Sequence, residues 1–178
     1  IKKKKIHGIN ITVPFKKAII PFLDQLSLEA RNTQSVNTIY LDNDKIIGHN
    51  TDISGFELSI RNSKFNVKNK KVMILGAGGV VPSIVFALNK MNVSEIIVSN
   101  RTKNKAESLK DQFKNLKVVD WGDVLDFDMI INATSLGLKK GDDFTFNFDN
   151  VKSDLIYIDT IYNPIETKTL KFLKDKKI

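Results

Sequence analysis

The sequence contains no cysteine, and this absence excludes several classes of chemistry at once. Without thiols the chain has no disulfide framework, no cysteine nucleophile and no cysteine-based metal site. Only two histidines are present, His7 and His49, so we expect no bound metal. No apolar run of about 18 residues occurs, and the first residues lack an apolar signal-peptide core. We therefore expect a soluble cytoplasmic protein.

Acidic residues are outnumbered by basic ones, which gives a net charge of +8. Such an excess can indicate a nucleic-acid partner. Here, however, nearly all the positive charge is lysine scattered along the chain, and the only arginines are Arg31, Arg61 and Arg101. We expect no nucleic-acid and no membrane partner, since an anionic small molecule fits a basic protein equally well. The sequence leaves the oligomeric state open between monomer and homodimer.

The chain has 178 residues, 42% of them apolar, which is enough for one or two domains with cores of their own. Its first third contains short alternating stretches that predict strands, a turn signal at residues 42–44, and two helix-like stretches. The predicted strands are His7–Val13, Ser35–Leu41 and Ile46–Thr51, and the predicted helices run from about Lys16 to Leu26 and from Ile53 to Asn62. A polar stretch, residues 62–71, then connects to the second part. We predict a small α/β domain over residues 1–62.

The second part has short runs that are apolar on both faces and alternate with helix-like stretches. This pattern is typical of a parallel sheet that is covered by helices on each side. The predicted strands are Lys71–Leu75, Glu95–Ser99, Lys117–Asp120, Asp128–Asn132 and Leu155–Asp159, and the predicted helices are Gly79–Met91 and Lys103–Phe113. Residues 63–178 are therefore predicted to form a doubly wound, Rossmann-like α/β domain.

A glycine-rich stretch, GAGGVVPSI, follows the first of these strands and begins at Gly76. Glycines allow a sharp turn and close approach of a pyrophosphate, whose charge is attracted by the N–H groups at the start of the next helix. Val81 stands where the last glycine of the G-x-G-x-x-G pattern would be, so the pattern is incomplete. A dinucleotide site is the favoured interpretation, and an ordinary tight turn is the alternative.

A basic stretch, SNRTKNKA, follows the second of these strands from Ser99. In NAD sites a carboxylate at this point binds the ribose 2′-hydroxyl, and none is present here. Arg101 instead offers a planar guanidinium that can pair with a 2′-phosphate, and Lys103 and Lys105 add positive charge. This favours NADP over NAD, against the alternative of a solvated helix start.

Lys16 follows the turn-like sequence Thr-x-Pro-Phe after the first predicted strand. It is either a solvated helix residue or a proton donor at the edge of the cofactor cleft. Asp52 also follows a strand end, where it can pair with Lys16, cap the next helix, or both. His49 is interpreted as a strand residue, because no partner carboxylate is evident. Trp121 and the aromatic alternation Phe144, Phe146 and Phe148 are interpreted as core or loop packing.

Seven motifs, in order and over nearly the whole chain, make this sequence resemble the shikimate dehydrogenase family. They are GINITVPFK (Gly8–Lys16), SVNT (Ser35–Thr38), NTD (Asn50–Asp52), GAGG, NRT, NATSLG (Asn132–Gly137) and DTIYNP (Asp159–Pro164). The resemblance implies reversible NADPH-dependent reduction of 3-dehydroshikimate to shikimate in aromatic amino-acid biosynthesis. Alternatives are an NAD-preferring quinate/shikimate dehydrogenase and a non-catalytic, ligand-sensing relative.

The resemblance also implies that residues 1–62 form part of a substrate-binding domain, and it implies roles for individual residues. Lys16 is the catalytic lysine, with Asp52 as its carboxylate partner. The implied substrate-binding residues are Asn10, Thr12, Asn37 and Tyr162. The implied cofactor-binding residues are Gly76, Ala77, Gly78, Gly79, Val80, Asn100, Arg101, Thr102, Lys105, Thr134, Ser135 and Thr160.

Two positions depart from the family pattern, since Thr160 replaces the more usual methionine and Ile53 the usual glycine. Neither departure removes a functional group from the implied chemistry. Segments that precede GINITVPFK in the family, and others that follow the last helix-like stretch, have no counterpart here. We therefore expect this chain to be an incomplete portion of a longer enzyme.

Overall fold

The computed structural model describes residues 6–123, 126–139, 141–142, 148 and 151–176, and the chain divides into two compact units. The first unit comprises Ile1–Asn66 and Gly79–Met91, and the second comprises Val67–Gly78 and Asn92–Ile178. The sequence-based division into 1–62 and 63–178 did not anticipate that residues 79–91 would group with the first unit. Within the described residues, no helix has the length and apolar character needed to cross a membrane.

The first unit contains a four-stranded mixed sheet with the strand order β1-β3-β4-β2. Its strands are β1 (Gly8–Asn10), β2 (Gln25–Leu26), β3 (Thr38–Asp42) and β4 (Lys45–His49). Strand β3 pairs antiparallel with β1 and β4, while β2 pairs parallel with β4. The β3–β4 connection is the predicted turn, in which Asn43 and Asp44 have φ values of 45° and 62°. Asn and Asp tolerate this left-handed conformation better than most residues, which explains the tight hairpin here.

Four helices belong to the first unit: α1 (Phe15–Ala18), α2 (Leu28–Thr33), α3 (Asp52–Asn62) and α4 (Val81–Lys90). The predicted helix over Lys16–Leu26 was wrong. The chain forms the short helix α1, then a 3₁₀ turn at Ile20–Phe22 with Pro21 inside it, and then β2. Proline lacks the N–H that would continue an α-helix, so the segment breaks there. Helix α2 was not predicted; the Ser27 hydroxyl caps it by accepting the N–H of Ala30 at 3.2 Å.

The core of the first unit lies between its sheet and helices. Ala30, Val36 and Ile39 form a buried cluster. Helix α4 is apolar on most of its surface and buries six of its ten residues, which explains why it packs as an interior helix. Helix α3 packs against it, and Glu57 of α3 lies 2.6 Å from Lys90 of α4.

The second unit contains the five-stranded parallel sheet predicted from the sequence, with strand order β7-β6-β5-β8-β9. Its strands are β5 (Lys71–Leu75), β6 (Glu95–Ser99), β7 (Leu116–Val119), β8 (Met129–Asn132) and β9 (Ile156–Asp159). Its helices are α5 (Lys103–Glu107), which continues as a 3₁₀ turn at Ser108–Asp111, and α6 (Lys168–Asp175). The doubly wound α/β class is confirmed.

The central strands of this sheet are buried on both faces, as their continuous apolar sequences indicated. All four residues of β8 and the last four of β5 are buried. Phe148 is buried in the core cluster, and Trp121 packs against it, which agrees with the packing interpretation. Phe144 and Phe146 lie outside the described residues.

Candidate active site

Lys16 and Asp52 lie together in the first unit. The N–H of Phe15 donates to the carbonyl oxygen of Thr12 at 2.9 Å, and the resulting turn leads into α1, where Lys16 is the second residue. Lys16 Nζ donates to Asp52 Oδ2 at 2.6 Å. The two side chains are only 14% and 23% exposed, so bulk water screens the pair less than it would on an open surface. This arrangement gives the Lys16 side chain a fixed position in the first unit, as a proton donor would need.

The second carboxylate oxygen of Asp52 is also occupied. Asn37 Nδ2 donates to Asp52 Oδ1 at 2.8 Å, and Asn37 Oδ1 accepts the backbone N–H of Thr51 at 3.0 Å. The hydroxyl of Thr51 lies 2.9 Å from Asn37 Nδ2 and is exposed. The sequence reasoning missed Thr51, although its position next to Asp52 in NTD was a signal that could have identified it.

The interpretation of Asp52 as a helix N-cap was wrong. Asp52 is the first residue of α3, and Thr51 occupies the cap position without a side-chain capping bond. The carboxylate of Asp52 is used by Lys16 and Asn37 instead.

The other predicted substrate-binding residues stay predictions. Asn10 is the last residue of β1 and pairs with Thr38, and Thr12 lies two residues after Asn10. Asn10 and Thr12 are both exposed. In the described part of the first unit, neither side chain bonds to Lys16 or Asp52. Tyr162, in the second unit, is 89% exposed.

The glycine-rich turn begins with a residue that has to be glycine. Gly76 is buried, has φ of +110°, and donates its N–H to the carbonyl oxygen of Ser99 at 2.8 Å. A Cβ atom added there would lie 2.7 Å from the carbonyl oxygen of Ala133. Ala77 and Gly78 continue the turn, and Val80 directly precedes α4. The conformation expected of a dinucleotide-binding turn is therefore present.

Gly79 belongs to the first unit and lies beside Lys16. Its carbonyl oxygen accepts the Ser35 hydroxyl at 3.3 Å. A Cβ atom added to Gly79 would lie 4.0 Å from Lys16 Cδ and 3.9 Å from Val13 Cγ2. The end of the glycine-rich turn and the lysine side chain are thus neighbours.

The basic segment after β6 presents exposed cations. Asn100 Nδ2 donates to the carbonyl oxygen of Thr102 at 2.7 Å, which shapes the turn before α5. Arg101 and Lys105 are exposed, and no ion pair involves either of them within the described ranges. Lys103 Nζ lies 2.8 Å from Asp120 Oδ1, and this hydrogen bond raises the pKa of Lys103.

A polar cluster centred on the buried Asn132 organises the loops after β8 and β9. Asn132 and Asp159 stand in the motifs NATSLG and DTIYNP, but the sequence analysis gave neither of them a role. Asn132 Oδ1 accepts both the N–H and the hydroxyl of Thr134, at 3.1 and 2.7 Å. Asn132 Nδ2 donates to Asp159 Oδ1 at 3.1 Å, and the Thr160 hydroxyl donates to the carbonyl oxygen of Asn132 at 2.9 Å. Ser135 is exposed. Thr134 and Thr160, both predicted to contact the cofactor, are therefore brought together on one asparagine.

His49 ends β4, as expected, but a carboxylate does lie near it. His49 Nδ1 is 2.8 Å from the Ser27 hydroxyl and 3.8 Å from Glu29 Oε2. These groups surround the start of α2, where the pKa of Glu29 is lowered chiefly by a backbone hydrogen bond. No group of three or more acidic or histidine side chains that could hold a metal occurs among the described residues.

Comparisons with known proteins agree on one family. The family model for the shikimate dehydrogenase substrate binding domain matches residues 1–39, and that for shikimate / quinate 5-dehydrogenase matches residues 59–139. A shikimate dehydrogenase (NADP(+)) from Pelagibacter ubique is 58% identical over 98% of this chain. The chain spans 66% of the length of that relative.

Two solved structures show the same architecture. Shikimate 5-dehydrogenase from Thermus thermophilus, in complex with NADP(H) and shikimate, is 29% identical with a TM-score of 0.88, covering 99% of this chain and 66% of its own. Quinate dehydrogenase from Corynebacterium glutamicum, in complex with NAD, is 32% identical with a TM-score of 0.88. The match covers 97% of this chain and 65% of the quinate dehydrogenase chain. The architecture therefore accompanies both nicotinamide cofactors, and the choice between them has to lie in particular side chains.

Proposed function

Because this chain belongs to the shikimate dehydrogenase family, we propose that it carries the active site for reversible NADPH-dependent reduction of 3-dehydroshikimate to shikimate. The observation that carries this proposal is the Lys16–Asp52 pair with Gly79 beside the lysine side chain. A proton donor next to the glycine-rich turn is the arrangement that reduction of a carbonyl requires.

The residues fit a bound NADP. The turn at Gly76 leaves no room for a side chain and leads into the N-terminal end of α4, where the positive end of the helix dipole favours a pyrophosphate. Arg101 and Lys105 supply exposed positive charge for a 2′-phosphate, with Asn100 and Thr102 shaping the segment between them. Thr134, Ser135 and Thr160 are proposed to contact the nicotinamide half.

NADPH, when bound by these residues, would supply the hydride that reduces the carbonyl carbon of the substrate. As the carbonyl bond gives up its electron pair, negative charge grows on the oxygen, and Lys16 Nζ donates the proton that completes the hydroxyl group. Asp52 keeps Lys16 oriented through the bond at 2.6 Å. In the reverse direction Lys16 takes the proton from the same hydroxyl.

Substrate recognition is assigned to the polar groups around this pair. Asn37 and Thr51, which contact Asp52 and each other, are proposed to bind hydroxyl groups of the substrate. Asn10, Thr12 and Tyr162 are exposed and are proposed to complete the contacts to its hydroxyl and carboxylate groups. The partner is thus a small anionic molecule.

The test is NADPH oxidation, followed by absorbance, with 3-dehydroshikimate and 3-dehydroquinate as competing substrates and with NADH in parallel. The proposal expects turnover with 3-dehydroshikimate and NADPH to exceed the other three combinations. Preference for NADH with dehydroquinate would instead identify a quinate dehydrogenase. Binding of both ligands without turnover would identify a non-catalytic relative. The assay uses the protein at its natural length.

A further inference from the structure

Asn50, which follows β4, lies at the centre of a buried set of hydrogen bonds in the first unit. It is 1% exposed, and Thr33, Ser35 and Ser83 around it are 1%, 3% and 0% exposed. Asn50 Nδ2 lies 3.1 Å from the Thr33 hydroxyl, 3.0 Å from the Ser35 carbonyl oxygen and 2.9 Å from the Ser83 hydroxyl. A buried amide with partners on several elements has one favourable orientation, because leaving its polar atoms unpaired is costly.

The carbonyl end of the same side chain holds the start of α3. Asn50 Oδ1 accepts the backbone N–H of Asp52 at 2.9 Å. The first N–H groups of a helix have no partner within the helix, and an asparagine two residues earlier can satisfy one of them. The capping function that the sequence suggested for Asp52 is therefore performed by Asn50. Fixing the backbone of Asp52 also fixes the direction in which its carboxylate leaves the helix, toward Lys16 and Asn37.

The amide end reaches the helix that follows the glycine-rich turn. Ser83 lies in the first turn of α4, whereas the Glu57–Lys90 pair joins α3 to the last residue of α4. The start of α4 is therefore held by a separate contact, and a hydrogen bond between buried groups such as Asn50 and Ser83 specifies one position. Asn50 thus connects the backbone of Asp52 to the first turn of α4.

We propose that Asn50 is a positioning residue, which sets the orientation of the Lys16–Asp52 pair through the N–H of Asp52 and links that orientation to α4 through Ser83. Its consequence for the reaction rests on the proposed function, while its effect on the Asp52 backbone does not. The residue does not touch the reacting atoms. It acts through Asp52, and removing it should therefore impair the chemical step more than substrate binding.

The first measurement is amide hydrogen exchange, observed residue by residue by NMR in Asn50→Leu, which keeps the number and branching of the side-chain heavy atoms and removes the polar ones. We expect the Asp52 amide to exchange about fivefold faster or more, as for loss of one hydrogen bond. Ser63→Ala, which removes a hydroxyl at the opposite end of α3, is the matched control and should leave that amide unchanged. An Asp52 amide that stays fully protected in Asn50→Leu overturns the proposal.

The second measurement is kinetic and separates positioning from general support of the fold. We expect Asn50→Leu to lower kcat by roughly 10- to 100-fold with KM changed less than about threefold. In an Asp52→Ala background the same substitution should lower kcat by less than about a further threefold, since no carboxylate remains to be positioned. An Asn50→Leu penalty that is unchanged in that background overturns the proposal.

Ser83→Ala removes only the link to α4 and provides an alternative test if Asn50→Leu does not fold. It should speed exchange of the amides in the first turn of α4 by about threefold or more while kcat stays within about threefold of wild type. Exchange equal to wild type would remove α4 from the proposal. If the wild-type protein shows no dehydrogenase activity, the proposed function fails, and amide exchange still decides whether Asn50 holds Asp52.

Discussion

Replacing Lys16 with alanine removes the group to which the proton transfer is assigned, and its effect can be estimated from the site. General acid catalysis by a positioned group contributes roughly 100- to 10,000-fold, which is about 2.7 to 5.4 kcal/mol in the activation free energy. The 2.6 Å bond to Asp52 fixes Lys16 in place, so kcat should fall within that range. Asp52 is largely buried but keeps its bond to Asn37, so loss of the lysine should lower the unfolding free energy by about 1 to 3 kcal/mol.

The assay combines steady-state NADPH oxidation with a fluorescence titration of NADPH binding. Lys17→Ala is the matched control, because Lys17 is the next residue of α1, is exposed, and has no bond to Asp52. Lys16→Ala should bind NADPH within about threefold of wild type, since the dissociation constant reports contacts that Lys16 does not supply. A Lys16→Ala enzyme with kcat within tenfold of wild type would refute the assigned chemistry.

Three further predictions concern the second unit. Arg101→Asp should weaken NADPH binding by at least about tenfold, or 1.4 kcal/mol, and shift the cofactor selectivity toward NADH. Arg61→Asp is the control and should change neither. Equal selectivity between NADPH and NADH in the two variants would contradict the prediction. Gly76→Ala should lower the unfolding free energy by more than about 1 kcal/mol in denaturant titrations and weaken NADPH binding. The reason is that Gly76 has φ of +110° and that the added Cβ atom would lie 2.7 Å from the carbonyl oxygen of Ala133. Asp128 has a lowered pKa, chiefly from a backbone hydrogen bond at the start of β5, so its ionised form stabilises the folded state. Asp128→Asn should therefore lower the melting temperature at pH 7, and the difference from wild type should shrink as the pH falls below about 4.

The second unit was the more predictable half of the fold, for a physical reason. Strands such as β5 and β6 are buried on both faces, so their sequences are continuous apolar runs whose ends are easy to locate. In the first unit β1 and β2 have only three and two residues, and neither buries any residue fully. Such strands are held by tertiary pairing that the local sequence does not display. The same limitation concealed α2, whereas the wrong helix over Lys16–Leu26 overlooked a local signal, the proline at position 21.

The site shows a similar division. Lys16 and Asp52 stood out because charged groups after strand ends have few structural reasons to be there, and the structure brings them into contact across 36 positions of sequence. Thr51, Asn50 and Asn132 stand in the motifs NTD and NATSLG but were given no role, because an amide or hydroxyl group acquires a structural meaning only through its partners. Asn50, for example, depends on Ser83, which is 33 residues away. Reacting groups are therefore easier to identify from a sequence pattern than the groups that hold them in place.

The charges beside β6 bear on which residue binds the 2′-phosphate, a role that the sequence already predicted for Arg101. Three basic side chains lie in NRTKNK, but Lys103 is bonded to Asp120 at the end of the neighbouring strand β7. A carboxylate at that position would repel a 2′-phosphate if it stood alone, and Lys103 offsets its charge. Lys103 is thereby occupied with a local partner, and the exposed guanidinium of Arg101 and the ammonium of Lys105 carry the remaining positive charge. Of these two, only Arg101 can form paired hydrogen bonds to a phosphate from a planar group, so the preference for NADP should depend on Arg101 more than on either lysine.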